Sequence, residues 1–469
     1  MLPRETFFLP ARELGRRLRA GDFTSVELTV GYIERLRTIG ARLNAVVTIM
    51  EERALAEAHA ADLELATSRS LSPLHGVPYG VKDLLATRGA PTTWGAEPYK
   101  NQVFDFDATV VNRLHAAGAV LVAKLAMVEL AGGMGYDEAD ASFTGPGITP
   151  WNTSFWSGGS SSGPGSAVAA GLVGFAIGSE TSGSILTPSA FCGVSGLRPT
   201  YGLVSRHGAM ALCWTLDKLG PMCRSADDCA LVLEALAGHD DADATSVERK
   251  FHWRPSARRG RRWRIAVPAG CVEKVQPAVR DAFEASMKAL SAHADIERDV
   301  AWPEFPWGPS VGTIVNAEGT AAFLSLIESG DVAKLRCPAD HVGGYGGMMT
   351  FAVDYVQAMR ARAPMKRAVN ALFEKYDVIA SPTRSTVSYP LDKKFRDAYP
   401  DVRSGPALIP AGNLCGLPAV CLPNGFGDHG LPTSLTLMGA AFGETALLRM
   451  AHAYQSATDW HLRTPPNVS

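Results

Sequence analysis

Apolar residues recur at helical spacing in TSVELTVGYIERL, where Val26, Val30, Ile33 and Leu36 follow one another and Thr24 with Glu27 forms a capping box ahead of them. The spacing predicts helical structure over 11–38. A second helix is predicted over 108–118 (ATVVNRLHAAG), ended by Gly118, and the apolar run AVLVAKL (119–125) then reads as a buried strand. HGVPYGVKDLL (75–85) reads as a short β segment broken by Pro78 and Gly80. SAVAAGLVGFAIGSE (166–180) reads as a small-residue helix running into a strand. RSADDCALVLEALAG (224–238) reads as a helix capped by Ser225 ahead of Asp227 and Asp228.

Beyond a polar stretch at 239–264, the pattern predicts a strand in RIAVP (264–268), a helix at 277–292 and a strand near 296–300. A helical stretch at 350–375 and the strand DVIAS (377–381) follow. Two strands, within 417–426 and 431–439, precede a last helix at 444–458. This alternation predicts an α/β fold with a central mixed sheet flanked by helices on both faces, built as one domain over 1–469. Residues 240–375 are expected to form a variable, partly helical cap within it.

Composition narrows the class. Hydrophobic residues make up 46% and charged residues 20%, an ordinary globular mix, and the net charge of −2 gives no field to draw nucleic acid or membrane. The basic run HWRPSARRGRRWR reads as a solvated loop, with Arg254, Arg258, Arg259, Arg261, Arg262 and Arg264. The eight cysteines (192, 213, 223, 229, 271, 337, 415, 421) form no C-x-x-C pair, so neither a disulfide framework nor a zinc knuckle is expected. MLPRETFFLPARELGRR does not read as a signal peptide, and no apolar run reaches the ~18 residues of a membrane span. The expectation is a soluble, cytoplasmic protein.

The candidate chemistry lies in SGGSSSGPGSAVAAGLVGFAIGSETSGS (157–184), a Ser/Gly cluster at each end of an apolar run. A flexible linker would not carry that run. A P-loop needs a Lys after its glycines, and none follows. Gly159–Gly163 matches G-x-S-x-G around Ser161, but that elbow needs a preceding strand and a His with its acid; the nearest downstream His is His207, with no evident partner. The remaining reading needs no His. In GSETSGSI (178–185), a turn of small residues lets successive backbone N–H groups converge on one oxygen, with Ser184 at its tip as nucleophile. Lys82, in an apolar stretch, could serve as a base once burial removes its proton.

GVPYGVKDLL, GGSSSG, GSETSGSI and FCGVSGLRPTYGLVSR together resemble the amidase signature family, and the likeness runs from near residue 11 to ATDWH at 457–461. The resemblance implies a Ser–cis-Ser–Lys triad: nucleophile Ser184, bridging Ser160 in a cis peptide, base Lys82. It implies an oxyanion hole from the backbone of Thr181, Ser182, Gly183 and Ser184, an acyl-enzyme, and no cofactor or metal. Ser179, Glu180 and Ser182 depart from the usual G-T-D-T-G-G-S-I. Ser161 and Ser162 are candidate supporting residues, and Arg198 is expected to brace the core.

Family substrates range over fatty, aryl and small amides, carbamates, ureides and, in tRNA-dependent amidotransferases, glutamine. The apolar Met210, Leu212, Cys213 and Trp214 within 205–221, with Ala131, Gly132 and Gly133 as a second wall, are the expected substrate-binding residues. Glutamine needs charged partners, and RSGPALIPAGN (403–413) offers no acidic group. The expectation is a stand-alone hydrolase of apolar or aryl amides or carbamates, with no nucleic-acid or membrane partner, as monomer or homodimer. The alternative is the glutaminase component of a tRNA-dependent amidotransferase.

Overall fold

The computed structural model describes residues 2–254, 262–402, 408–466 and 468. Arg258, Arg259 and Arg261 of the basic run, and residues 403–407 of the segment searched for glutamine-binding groups, lie outside the described residues. The core is one mixed sheet of eleven strands: β1 (Val46–Ile49), β2 (Pro78–Lys82), β3 (Val120–Leu125), β4 (Phe175–Glu180), β5 (Ser195–Arg198), β6 (Lys218–Cys223), β7 (Trp263–Pro268), β8 (Ala294–Val300), β9 (Val378–Pro382), β10 (Ala419–Phe426) and β11 (Pro432–Met438). Their order is β1-β3-β2-β4-β6-β5-β10-β11-β9-β7-β8. β2 pairs in parallel with both β3 and β4, whereas β4 meets β6 antiparallel. Helices flank the sheet.

Local signals explain the element ends. Thr24 accepts from the Glu27 N–H while the Glu27 carboxylate accepts from the Thr24 N–H, which starts the helix Ser25–Arg35. The preceding helix, Ala11–Ala20, stops at Gly21 in the left-handed region at φ 74°. Of the predicted face, Ile33 and Leu36 are buried and Val26 is half-buried, whereas Val30 is exposed; Leu28, Thr29 and Tyr32 complete the buried side. Ser225 caps Ala226–Leu236 as expected, accepting from the Asp228 N–H at 3.1 Å.

The expected break at Pro78 and Gly80 is reduced to a shift of register against β3 between Tyr79 and Gly80, and β2 itself runs on as one wholly buried strand. Pro78 sits at the first strand position, where a missing N–H costs least. Gly80 is a packing requirement: a Cβ there would come within 2.6 Å of Leu125 Cδ1 on β3. Within 240–375, β7 and β8 extend the main sheet, and Trp307–Ala322, Leu324–Glu328, Asp340–Gly347 and Ala352–Lys375 are helical. These helices and the turns between them present Val342, Tyr345, Met348, Met349, Phe351, Val353 and Val356 to solvent. Among the described residues no helix is long and apolar enough to cross a membrane.

The helix Ser162–Ala169 is buried at every position. Its small residues let backbone approach backbone: a Cβ on Gly163 would lie 2.4 Å from Ala126 N and 2.5 Å from Ala45 O. Those atoms belong to main chain that cannot swing aside. Gly163→Ala is therefore expected to destabilise at or beyond the upper end of the ~1–3 kcal/mol typical of overpacking. A fall in thermal midpoint of several degrees, or loss of soluble protein, would show it.

Candidate active site

Parallel pairing brings the ends of β2 and β4 to the same edge of the sheet. Lys82 closes β2, and Ser179 and Glu180 close β4. The Lys82 side chain is fully buried, and its Nζ donates to Ser160 Oγ at 2.7 Å and Ser179 Oγ at 2.9 Å. Burial pulls its ammonium down to about 7, against weaker upward pulls from Asp217 and Glu180. The adjacent Asp83 gives it no counter-charge. That carboxylate points the other way, to Lys124 Nζ at 3.0 Å and the Thr93 N–H at 3.0 Å.

Ser160 follows a cis peptide bond from Gly159 and is wholly buried. Its carbonyl accepts from the Val128 N–H at 3.0 Å. Ser161, the centre of the G-x-S-x-G match, is already committed. Its hydroxyl donates to the Ser179 carbonyl at 3.2 Å and accepts from the Ser179 N–H at 3.3 Å. Among the described residues no strand runs directly into it, so the strand that the elbow reading needs is missing. Ser162 Oγ donates to the Ala126 carbonyl at 3.4 Å. The His207 ring stacks on Phe106 at 5.7 Å.

The second cluster turns sharply after β4. Gly183 has φ 97°, a conformation that favours glycine. Among the described residues, the backbone N–H groups of Thr181, Ser182, Gly183 and Ser184 find no acceptor, and the Ser184 hydroxyl has no hydrogen-bond partner. The Ser184 carbonyl accepts from the Ser161 N–H at 3.3 Å, which ties the two clusters together. Ser182 is exposed and Ser184 half-exposed.

Two carboxylates that sequence reading passed over shape this turn. Glu180 Oε2 accepts from the Ile185 and Leu186 N–H groups at 3.0 and 3.1 Å, curling the chain around Ser184. Its Oε1 accepts from Arg198 Nη1 and Asn413 Nδ2, each at 2.9 Å. Burial alone would raise the Glu180 carboxyl, but Arg198, Lys218 and Asn413 outweigh it and hold it below its ordinary value. Arg198 thus braces the turn itself. Asp217 accepts from Thr181 Oγ1 at 2.6 Å, and from the Leu212 and Cys213 N–H groups at 2.9 and 2.8 Å. The only hint in sequence was that Glu180 replaces the usual Asp.

A cavity of about 210 Å³ borders Ser179 and Thr181; Ala131, Met210, Leu212 and Trp214 line it on the apolar side, and Arg206, His207, Asp217 and Asp243 also face it. Gly132 and Gly133 do not line it. The space each leaves is taken, at Gly132 by the Tyr136 ring and at Gly133 by Leu212. Cys213 turns away, its thiol donating to Glu318 at 3.1 Å.

The Amidase family profile matches residues 27–448. The chain is 38% identical to a glutamyl-tRNA(Gln) amidotransferase component of Moorella thermoacetica, over 98% of this chain and 99% of that one. The peptide amidase of Stenotrophomonas maltophilia superposes with a TM-score of 0.84 at 29% identity, over 97% of this chain and 98% of the other. A bacterial aryl acylamidase shares the fold, with a TM-score of 0.85 at 21% identity and 97% of each chain covered. The matched span takes in both serine clusters and Lys82, and the chain belongs to the amidase signature family of hydrolases that act on C–N bonds.

Proposed function

We propose that this chain is a serine amidohydrolase that cleaves apolar or aryl amides, and carbamates of similar shape, through an acyl-enzyme on Ser184. The observation that carries the reading is Lys82: buried, without a counter-ion, and hydrogen-bonded to the hydroxyls of Ser160 and Ser179. A neutral amine there is a base near neutral pH. As Ser184 Oγ attacks the carbonyl carbon, its proton passes to Ser160 and the Ser160 proton to Lys82. The carbonyl oxygen becomes an oxyanion facing the free N–H groups of Thr181–Ser184. Return of the proton through Ser160 to the departing nitrogen lets it leave as an amine. Water then attacks the ester on Ser184 by the same relay.

The lining of Met210, Leu212 and Trp214 supports an apolar group beside the scissile bond. A second reading, the glutaminase component of an amidotransferase, draws on the relatives that carry the glutamyl-tRNA(Gln) amidotransferase name. Residues 408–413 carry no acidic side chain for an α-ammonium group, and the two aspartates that line the cavity are engaged, Asp217 with Thr181 and the Leu212 and Cys213 N–H groups and Asp243 with Arg206 and Thr245, which favours the first.

Ser184→Ala is expected to lower turnover by roughly 10⁴-fold or more, since the nucleophile acts as one unit with its base. Lys82→Ala should lower it by roughly 10³-fold. The wild-type kcat/KM should rise about tenfold per pH unit below pH 7 and level off above, because only the neutral amine accepts the proton. A profile flat from pH 5.5 to 8.5 would contradict a Lys82 base.

Substrate class is tested by arylamine release from matched anilides and N-aryl carbamates, beside ammonia release from glutamine, with Ser184→Ala as blank. Release from the aryl substrates alone is expected. Ammonia from glutamine with no arylamine would favour the amidotransferase reading.

A further inference from the structure

Beside the nucleophile turn lies a second cavity, of about 430 Å³, that no part of the mechanism uses. Leu186, two residues after Ser184, and Ile409 form its near wall, and Ile409 Cγ2 is 3.3 Å from where a Cβ on Gly183 would stand. The cavity therefore abuts the turn that carries Ser184.

Its chemistry is one-sided. Among the described residues, three arginines line it, Arg198, Arg384 and Arg396, with the hydroxyls of Ser381, Thr383 and Ser385, and no aspartate or glutamate. Arg198 is committed to Glu180, yet its buried Nη2 has no hydrogen-bond partner. Arg396 is largely exposed and pairs with Asp397 at 3.5 Å. Arg384 is half-buried and, among the described residues, meets no carboxylate. Its guanidinium lies over the Phe191 ring at 6.0 Å, and Nη2 donates to Tyr389 Oη at 3.0 Å. These contacts hold it in place and leave donors on the guanidinium uncommitted.

A half-buried guanidinium without an anion, in a pocket of hydroxyls free of carboxylates, is matched by a planar anion that fills its donor fork. We propose that this cavity is an anion subsite in which Arg384 holds a carboxylate carried by the amide substrate. The inference rests on the reading of Ser184 as nucleophile and narrows its substrate class. It also sets the sign of what is excluded: with no acidic lining, the ammonium group of an amino acid finds no partner there. The preferred substrate is a monoamide of a diacid, apolar at one end and anionic at the other.

The test compares the 4-nitroanilide of glutaric acid, with its free carboxylate, against the methyl ester of the same compound. The wild type should favour the acid at least tenfold in kcat/KM, with the difference mainly in KM. Arg384→Gln should bring the acid-to-ester ratio near one, and Arg384→Lys should restore part of it. A wild-type ratio near one, or a ratio that Arg384→Gln leaves unchanged, would overturn the subsite while leaving the hydrolase intact. If neither compound is hydrolysed, glutarate is titrated calorimetrically into Ser184→Ala. Saturable binding that is lost in Ser184→Ala with Arg384→Gln would uphold the anion subsite and reject the hydrolase. Absence of binding would overturn the subsite.

Discussion

A lysine taken wholly out of water without a counter-ion is the constraint around which this molecule is arranged. An ammonium group in that position is costly, and a protein normally answers with a carboxylate or lets the group neutralise. Here the carboxylate next in sequence is withheld: Asp83 is turned to Lys124, with Thr93 completing its shell. Lys82 is left with hydroxyls. The adjoining ends of β2 and β3 thus hold two lysine environments, Lys124 in an ion pair and Lys82 a free base.

The second requirement is a turn with unused N–H groups that nevertheless keeps its shape. Glu180 and Arg198 meet it. Their pair is buried and hydrogen-bonded on several sides, the condition under which such a pair offsets its desolvation. Loss of either partner would strand a buried charge, at a cost of about 3–5 kcal/mol. The ion pair therefore works less as a stabiliser than as a template, setting where the chain after β4 may go. Lys218, across from Glu180 on β6, is also wholly buried, and burial pulls it to about 7, so this layer holds a second neutralisable amine.

Much of this was legible in sequence where the signal is local. The Thr24–Glu27 box, the Ser225 cap, the apolar run of β3 and the spacing of the two serine clusters each rest on a few adjacent residues. What was not legible depends on distant partners. Gly80 looked like a strand breaker because Leu125, which fills the space above it, is 45 positions away. The helix Glu51–Ala66 buries only Ala54, Ala58 and Ala61, a stripe too thin to register as periodic. The helices over 307–347 are rich in glycine, which hides their pattern. The roles of Glu180 and Arg384 follow from neighbours that only the folded sheet supplies.

All eight cysteines are buried and free. Burial also raises thiols among them, Cys415 to about 11 and Cys421 to about 12, so in the folded chain these are both out of reach and protonated. Alkylation of this protein is then a clock for opening rather than a map of its surface. Cys337 lies beside the outer helices and Cys421 in the middle of β10. The order in which the two are modified reports whether the outer helices loosen before the sheet or only together with it.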